Sequence, residues 1–530
     1  MAKSMVLAFH ALGKKFEIKG SKLKISGLCI TRFTDEKGRT MDTSRISLRL
    51  GNDRENVKLS FALAKGIKLI KNICINKYAI EVDAGILPML DIQNKFYVFC
   101  DGAENRIAYS LFDRKTGKNK ATGVIKKDGL ACYVRQSRYN AMYLSVREPQ
   151  YYDTPQGRRK IFIAKLCAFF SGKGNIIYLY EKECSRYEES ASVLYEKMID
   201  AGYNNAYYII NEDNPAIERL PQKYRRNLVY KDSFKHLVYF FASKTFISTE
   251  TMSHALKLRT ANRTIVNKNE SKKIANVFLQ HGVMYMVSLD SASRVSFRQH
   301  GLKLYRVVAS SELEAQHFIE LGGFKREELY VTGLAKFDRC FRHEEADRIV
   351  IMPTWRRWES NLAGRSFPET GYYKMIEKIF DAIPRELQEK VVILPHPLMQ
   401  KFMEKGENRL SPYMATKTHD EVLKDCDLLI TDYSSISYDA FYRGSNVLFY
   451  WAEKEYCMEQ YGEGTRLMLT EELAFGDVCY RTEEITDSIM NSYGRTQRKE
   501  YVDRFRKIVE FHDGKNAERI IENLKRDGVL

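Results

Sequence analysis

The chain reads as an α/β protein with two parallel-sheet, Rossmann-like lobes behind an all-β N-terminal domain. Three observations predict this. Up to about residue 150, runs such as KFEIKG, KLKISGLCI, RISLRLG, NKYAIEVDAG, NKFYVFCDG and RIAYSLFD alternate apolar and polar residues, with Gly, Asn and Asp between them. That is the period of antiparallel strands in a sandwich or barrel. From residue 160 on, apolar strands such as NIIYLYE, NAYYIIN, KTFIST, ANVFLQHG and LYRVVASS are separated by helical stretches such as SASVLYEKMIDAG and SELEAQHFIELGGF. A second series starts near 348 with RIVIMPTW, KVVILPHP, DLLITDYSS and NVLFYW. Strands that alternate with helices form parallel sheets, and two series imply two lobes with a cleft between them. The expected boundaries are 1–150, 151–340 and 341–530, in keeping with about three domains for a chain of 530 residues.

The charge is unevenly spread. Residues 1–150 hold 28 Lys and Arg against 14 Asp and Glu, so +14 of the net +17 sits on the first domain. Such a field favours an anionic partner: nucleic acid, an acidic lipid surface or a polyanionic substrate. The opening piece MVLAFHALG is short, contains His10 and runs into basic residues, so it does not read as a secretory signal. No apolar run reaches the roughly 18 residues that span a bilayer. The ten cysteines form no CxxC pair, which indicates neither a zinc site nor a disulfide framework and suits a reducing cytoplasm. One segment, GRRKIFIAKLCAFFSGKG (157–174), sets Arg158, Arg159, Lys160 and Lys165 beside Ile161, Phe162, Ile163, Leu166, Phe169 and Phe170. It is either an interfacial membrane helix or a basic-flanked helix packed on a domain.

In open parallel sheets, ligands bind beyond the carboxyl ends of the strands. VFLQHGVMY ends a strand with Gln280, His281 and Gly282; the glycine lets backbone approach a ligand, and an imidazole can take a proton from a hydroxyl. VIMPTWRRWES places Thr354, Arg356 and Arg357 past a strand, where forked donors suit a pyrophosphate and a solvated basic loop is the plain alternative. VVILPHPLM holds His396 between two prolines that fix the backbone. In DLLITDYSSISYDAFYRG, a buried strand gives way to Asp432, Tyr433, Ser434 and Ser435, then to helical spacing. One serine suffices to cap that helix; two adjacent hydroxyls beside free N–H groups also make an anion site, with Asp432 orienting a donor or receiving a proton. LYVTGLAKFD adds Gly333, Lys336 and Asp338 at a hinge, with Lys336 either a phosphate contact or part of a buried turn.

Taken in order, LQHGV, VTGLAKFD, IMPTWR, LPHP and LITDYSSISYDAFYRGSNVLFY resemble the CDP-glycerol glycerophosphotransferase family, the teichoic acid polymerases and primases of Gram-positive bacteria. The resemblance covers roughly residues 175 to 470. It implies a GT-B-like pair of lobes with the acceptor on the first and a CDP-linked polyol on the second. His281 and His396 match the family's two motif histidines, similar to those assigned to proton abstraction and phosphate stabilisation. Gly282, Thr354, Arg356, Arg357, Asp432, Ser434, Ser435 and Lys336 are the expected donor-binding set. The implied reaction moves glycerol phosphate or ribitol phosphate to a hydroxyl of a lipid-linked teichoic acid-type or capsule polymer and releases CMP. The implied partners are the donor, that anionic acceptor and the cytoplasmic membrane face, with nucleic acid disfavoured and a homo-oligomer allowed. No metal site is expected, although Mg²⁺ could accompany the nucleotide. Many members continue the first motif as His-Gly-Thr-Pro-Leu-Lys, whereas here Val283, Met284, Tyr285 and Met286 follow Gly282. Two other classes stay open: a sugar-nucleotide glycosyltransferase on the same fold, and a non-catalytic polyanion-binding protein.

Overall fold

The N-terminal alternation folds as antiparallel pairing. The strand Lys22–Thr34 lies between Val6–Ala11 and Ile73–Asp83, and the latter pairs with Ser60–Ile70. In a second sheet, Asn94–Cys100 lies between Ile46–Gly51 and Met142–Arg147, which continues through Leu130–Gln136 to Thr122–Lys127. Leu23, Ile25 and Cys29 from the first sheet and Leu48, Leu50, Phe96 and Val98 from the second share one core. Every second residue of each strand therefore points inward, as the period of two requires. The structure, a computed structural model, describes residues 6–12, 15–35, 37–51, 56–70, 72–90, 94–100, 109–110, 112–113, 122–136, 142–170, 176–256, 274–290, 304–359, 363, 366–396 and 408–530. Pro397 and residues 171–174 of the basic-apolar segment lie outside them, as does the side chain of Arg357.

The chain divides into two compact units, one built on Met1–Cys167 and the other on Ala168–Ala255 with Lys273–Leu530. Near the end of the first, Asp153 takes two bonds from the Arg147 guanidinium, at 2.7 and 2.8 Å, one from the Gln150 amide at 2.8 Å and one from the Tyr133 hydroxyl at 3.1 Å. The helix Pro155–Phe170 follows. It buries Ile161, Ala164 and Ala168 on one side, while Phe162, Ile163, Leu166, Phe169 and Phe170 are exposed.

The second unit carries two parallel sheets, the α/β architecture expected from the strand and helix alternation. The first runs Leu228–Tyr230, Ala206–Ile210, Ile177–Tyr180, Thr245–Ser248, Ala275–Phe278, Arg306–Ala309, Leu329–Val331 from edge to edge. The second runs Val391–Ile393, Arg348–Ile351, Cys426–Thr431, Asn446–Tyr450, Asp477–Cys479. Their central strands are buried on both faces, hence the unbroken apolar runs Ile177–Tyr180 and Leu428–Ile430. One continuous core includes Leu179 and Val277 of the first sheet and Val350 and Phe449 of the second.

The C-terminal helix Asn516–Arg526 starts on the hinge motif. Asp338 accepts the Asn516 and Ala517 amides at 2.9 and 2.8 Å, capping the helix. Gly333 sits at φ 78° with Asn516 so close that a β-carbon would lie 2.2 Å from its amide oxygen. Only glycine satisfies both the left-handed backbone and that approach. No helix among the described residues is long and apolar enough to cross a membrane.

Candidate active site

The His281 loop is set by a strained residue held from behind. Gln280 adopts φ 60°, a left-handed conformation uncommon for a non-glycine residue. Its buried amide donates to the Val308 carbonyl and to Glu314, whose carboxylate also accepts the Met284 and Ser310 amides at 2.6 Å each. The buried Glu314 thus fixes both flanks of the His281 turn, and its own pKa is pushed up by burial. His281 then projects outward, accessible to solvent. Loss of surrounding water, reinforced by the positive charges of Lys182 and Lys336, lowers its pKa to about 3, while Glu250 and the Thr249 carbonyl act in the opposite direction. The ring is neutral at pH 7, the form a proton acceptor needs.

Gly282 is where the two sheets' motifs meet. A β-carbon there would lie 3.0 Å from the Ser435 hydroxyl and 3.9 Å from the Lys336 ammonium. Lys336, largely buried, donates to the His281 carbonyl at 3.2 Å and pairs with Asp439 at 2.6 Å. Burial alone would lower the lysine pKa, but Asp439 overrides it and holds the ammonium above its ordinary range. Lys336 therefore ties its own turn, Ala335–Arg339, to the His281 loop and the helix Ile436–Tyr442. It is the buried-turn alternative, rather than a free phosphate contact, that describes its bonds. The residues replacing Thr-Pro-Leu-Lys, Val283 to Met286, are all buried, and the Met286 carbonyl accepts from the Met468 amide at 2.9 Å, next to the Val287–Leu467 bridge.

On the second sheet the charged motif members turn inward. Asp432 is buried and accepts from the Thr354 amide at 2.7 Å, the Thr354 hydroxyl at 2.6 Å and the Tyr433 amide at 2.6 Å. Burial raises its pKa, and the Thr354 donors and Arg356 partly offset that. Asp432 orients Thr354, one of the two roles its position suggested. Arg356 departs from expectation as a donor contact: it is 2% exposed, bonded to Glu453 and 3.6 Å from Glu359. Burial opposes its charge, but Glu453 raises its pKa above an already high value, so its guanidinium is spent on scaffold carboxylates.

The hydroxyls and the second histidine remain outward. Ser435 stands at the N-cap of the helix Ile436–Tyr442 yet makes no side-chain cap bond, and Ser434 receives the Ile436 amide only at 3.5 Å. Both serines are partly exposed, so capping does not consume their hydroxyls. His396 stacks on Trp355 with centroids 5.8 Å apart and planes at 15°, and its amide donates to the Tyr372 hydroxyl at 3.1 Å. Burial, then Lys182, lowers its pKa to about 4. His419, on the helix His419–Lys424, is lowered to about 4 by burial, Arg186, His396 and Lys182. Sequence reasoning missed both His419 and Lys182: His419 opens a helix rather than ending a strand, and Lys182, two residues past the strand Ile177–Tyr180, belongs to no recognisable motif.

Two parallel sheets whose carboxyl-edge loops bring together a neutral histidine, a glycine and paired serines define an α/β protein with a polar site built from both halves of one unit. The chain belongs to the CDP-glycerol:poly(glycerophosphate) glycerophosphotransferase family, whose model matches residues 162–526. It is similar to the minor teichoic acid biosynthesis protein GgaB of Bacillus subtilis (strain 168), 22% identical over 371 residues that are 65% of this chain and 39% of GgaB. It is also similar to the teichoic acid glycerol-phosphate primase of the same organism, 21% identical over 283 residues, 49% of this chain and 71% of the primase. The chain thus spans about two fifths of GgaB's length. Its fold is similar to the solved wall teichoic acid polymerase TagF, with a TM-score of 0.50 at 16% identity, covering 70% of this chain and 94% of that one.

Proposed function

We propose that the chain transfers a polyol phosphate, from CDP-glycerol or CDP-ribitol, to a hydroxyl of a lipid-linked teichoic acid-type or capsule polymer, releasing CMP. The observation that carries this reading, beside family membership, is the seating of Gly282 against Ser435, which joins the His281 loop to the paired serines. The two parallel sheets are read as the lobes of a GT-B-like arrangement, acceptor side 151–340 and donor side 341–530, behind an all-β domain of residues 1–150.

The chemistry is an in-line displacement at the donor's β-phosphorus. The acceptor hydroxyl oxygen bonds to that phosphorus, the bond to the oxygen bridging to the α-phosphorus breaks, and CMP leaves with the electron pair. His281 takes the hydroxyl proton. His396, Ser434 and Ser435 donate to the phosphoryl oxygens as charge develops, while Asp432 engages both Thr354 donors, Lys336 holds the His281 loop and Arg356 braces the scaffold through Glu453 and Glu359. Positioning and preorganised donors supply most of the catalysis in phosphoryl transfer, so no covalent nucleophile is required. A Mg²⁺ ion arriving with the nucleotide would add charge neutralisation.

The reading extends to the inner membrane face, where a lipid-linked acceptor resides. The helix Pro155–Phe170 supports it, with Phe162, Phe169 and Phe170 exposed at 62%, 74% and 78% beside Arg158, Arg159 and Lys165. The basic surplus of residues 1–150 also suits an anionic surface or polymer. Phe169→Asp with Phe170→Asp should reduce sedimentation with anionic vesicles, and unchanged sedimentation argues against this helix as the contact.

A donor panel of CDP-glycerol, CDP-ribitol and UDP-sugars tests the reaction. CMP release with polymer growth supports the proposal. UDP release identifies a glycosyltransferase, and binding of polymer without release of either identifies a non-catalytic polyanion binder.

A further inference from the structure

The seven-stranded sheet reverses its order at Ile177–Tyr180, which has Ala206–Ile210 on one side and Thr245–Ser248 on the other. Ligands of open parallel sheets settle at that reversal, outside the carboxyl ends. The loop leaving Tyr180 is unusual: Lys182, Glu183 and Cys184 have φ of 35°, 55° and 65°, three successive non-glycine residues in the left-handed region. Such backbone persists only where its surroundings over-determine it, and it clusters at functional sites. Here the Glu183 amide donates to Glu250 at 2.7 Å, the Cys184 amide to the Glu181 carbonyl at 2.6 Å, and the Asn211 amide to the Cys184 carbonyl at 2.8 Å.

The held turn presents Lys182. Its ammonium makes a single ion pair among the described residues, to Glu189 at a loose 3.5 Å, and stays about one-third exposed. Other nearby carboxylates are engaged elsewhere: Glu181 accepts the Glu188, Glu189 and Ser192 amides, and Glu250 pairs with His254 at 3.1 Å. The charge of Lys182 reaches both sheet edges, since it opposes protonation of His281, His396 and His419. Arg186, four residues on, acts on His419 and has its own carboxylate, Glu188, only at 3.7 Å. The phosphotransfer machinery described above uses neither cation.

We propose that Lys182, with Arg186, binds the phosphodiester of the acceptor polymer adjacent to its attacking hydroxyl, so that this hydroxyl arrives at His281. The inference rests on the reading of the chain as a polyol-phosphate transferase. Donor phosphates have their partners on the second sheet, in Ser434, Ser435 and His396. Lys182 stands instead on the sheet that carries His281, the group that must meet the acceptor. An acceptor built of polyol phosphates carries its nearest negative charge one polyol away from the hydroxyl, so a cation at the same carboxyl edge of the sheet, one strand removed from the base's strand, reads the polymer's chemistry. This selects anionic, phosphate-bearing ends over neutral ones.

The test uses the full chain and a synthetic glycerol phosphate oligomer, titrated without donor at low and high salt. Lys182→Met should bind the oligomer about tenfold more weakly than wild type, with a shallower salt dependence; Arg186→Met should show a smaller loss, and Lys182→Arg should restore binding. In turnover, Lys182→Met should raise the acceptor KM about tenfold and move the donor KM less than twofold. Unchanged oligomer affinity in Lys182→Met, with the wild-type thermal midpoint, overturns the proposal, as does a rise confined to the donor KM. Because the titration needs no turnover, a wild-type chain that releases no CMP from either CDP-polyol defeats the transferase reading separately, while the binding comparison still decides whether Lys182 holds the polyanion.

Discussion

At the edge of the seven-stranded sheet, the motif Gln280-His281-Gly282 points its reactive group outward, whereas at the edge of the five-stranded sheet the charged members of two motifs, Arg356 and Asp432, point inward. The first edge places one imidazole by backbone strain and a buried carboxylate behind it. The second leaves two neutral donors, Ser434 and Ser435, partly exposed, while its buried charges are engaged within the scaffold, Asp432 with Thr354 and Arg356 with Glu453. In this molecule a charged residue in a motif is more often the support than the tool. The two edges should therefore fail differently when cut.

The sharpest separation comes from His281→Ala. Loss of a positioned general base costs about 10²–10⁴ in rate, so kcat should fall about 1,000-fold with the donor KM and thermal midpoint nearly unchanged. A variant that retains a tenth of the activity would remove His281 from the chemistry. Arg356→Met should do the reverse. It leaves Glu359 beside an apolar side chain, and breaking a buried pair costs about 3 kcal/mol or more of stability. Urea unfolding would read that loss; full stability with lost donor binding would return Arg356 to the phosphate.

A smaller effect is expected where hydroxyls alone are removed. Ser434→Ala with Ser435→Ala should raise the donor KM about tenfold or more, the scale of at least one hydrogen bond to a charged group, and leave the thermal midpoint near wild type because neither hydroxyl forms a strong cap. A large stability loss with an unchanged KM would make the serines structural. The smallest effect concerns pH. With the pKa of His281 lowered to about 3, kcat/KM should not fall from pH 8 to 6, where a histidine of ordinary pKa would lose about three quarters of its neutral form. Stability has the opposite sensitivity. His281, His396 and His419 all have folded pKa values below the ordinary one. Between about pH 6.5 and 4 the unfolded chain takes up protons that the folded chain does not, so stability falls as pH falls. His396→Gln should flatten that decline.

Much of this arrangement was legible before the fold. Short apolar runs bounded by turn residues, such as Leu428–Ile430, read as strands buried on both faces, and their alternation with helices predicts the parallel pairing that is observed. Strand-end position singled out His281, His396 and the serine pair. What stayed hidden depends on distant partners. The inward turn of Arg356 is decided by Glu453, 97 residues away, and Lys336 is claimed by Asp439 through the helix that follows the serines. Neither pairing leaves a local trace. Lys182 is hidden differently: in the run EKECSR it reads as a solvated charge, and only the left-handed turn and the sheet reversal beside it mark the position.

The most direct measurement follows the donor's β-phosphorus. The chain is incubated with CDP-glycerol labelled with ³²P at that atom and a glycerol phosphate-terminated acceptor, and the products are separated. Label in the lengthened polymer with unlabelled CMP released is the predicted result, because the displacement at phosphorus carries the β-phosphate across with the glycerol. Label remaining on a released nucleoside diphosphate would mean that a carbon–oxygen bond broke instead, and would contradict the account of both edges at once.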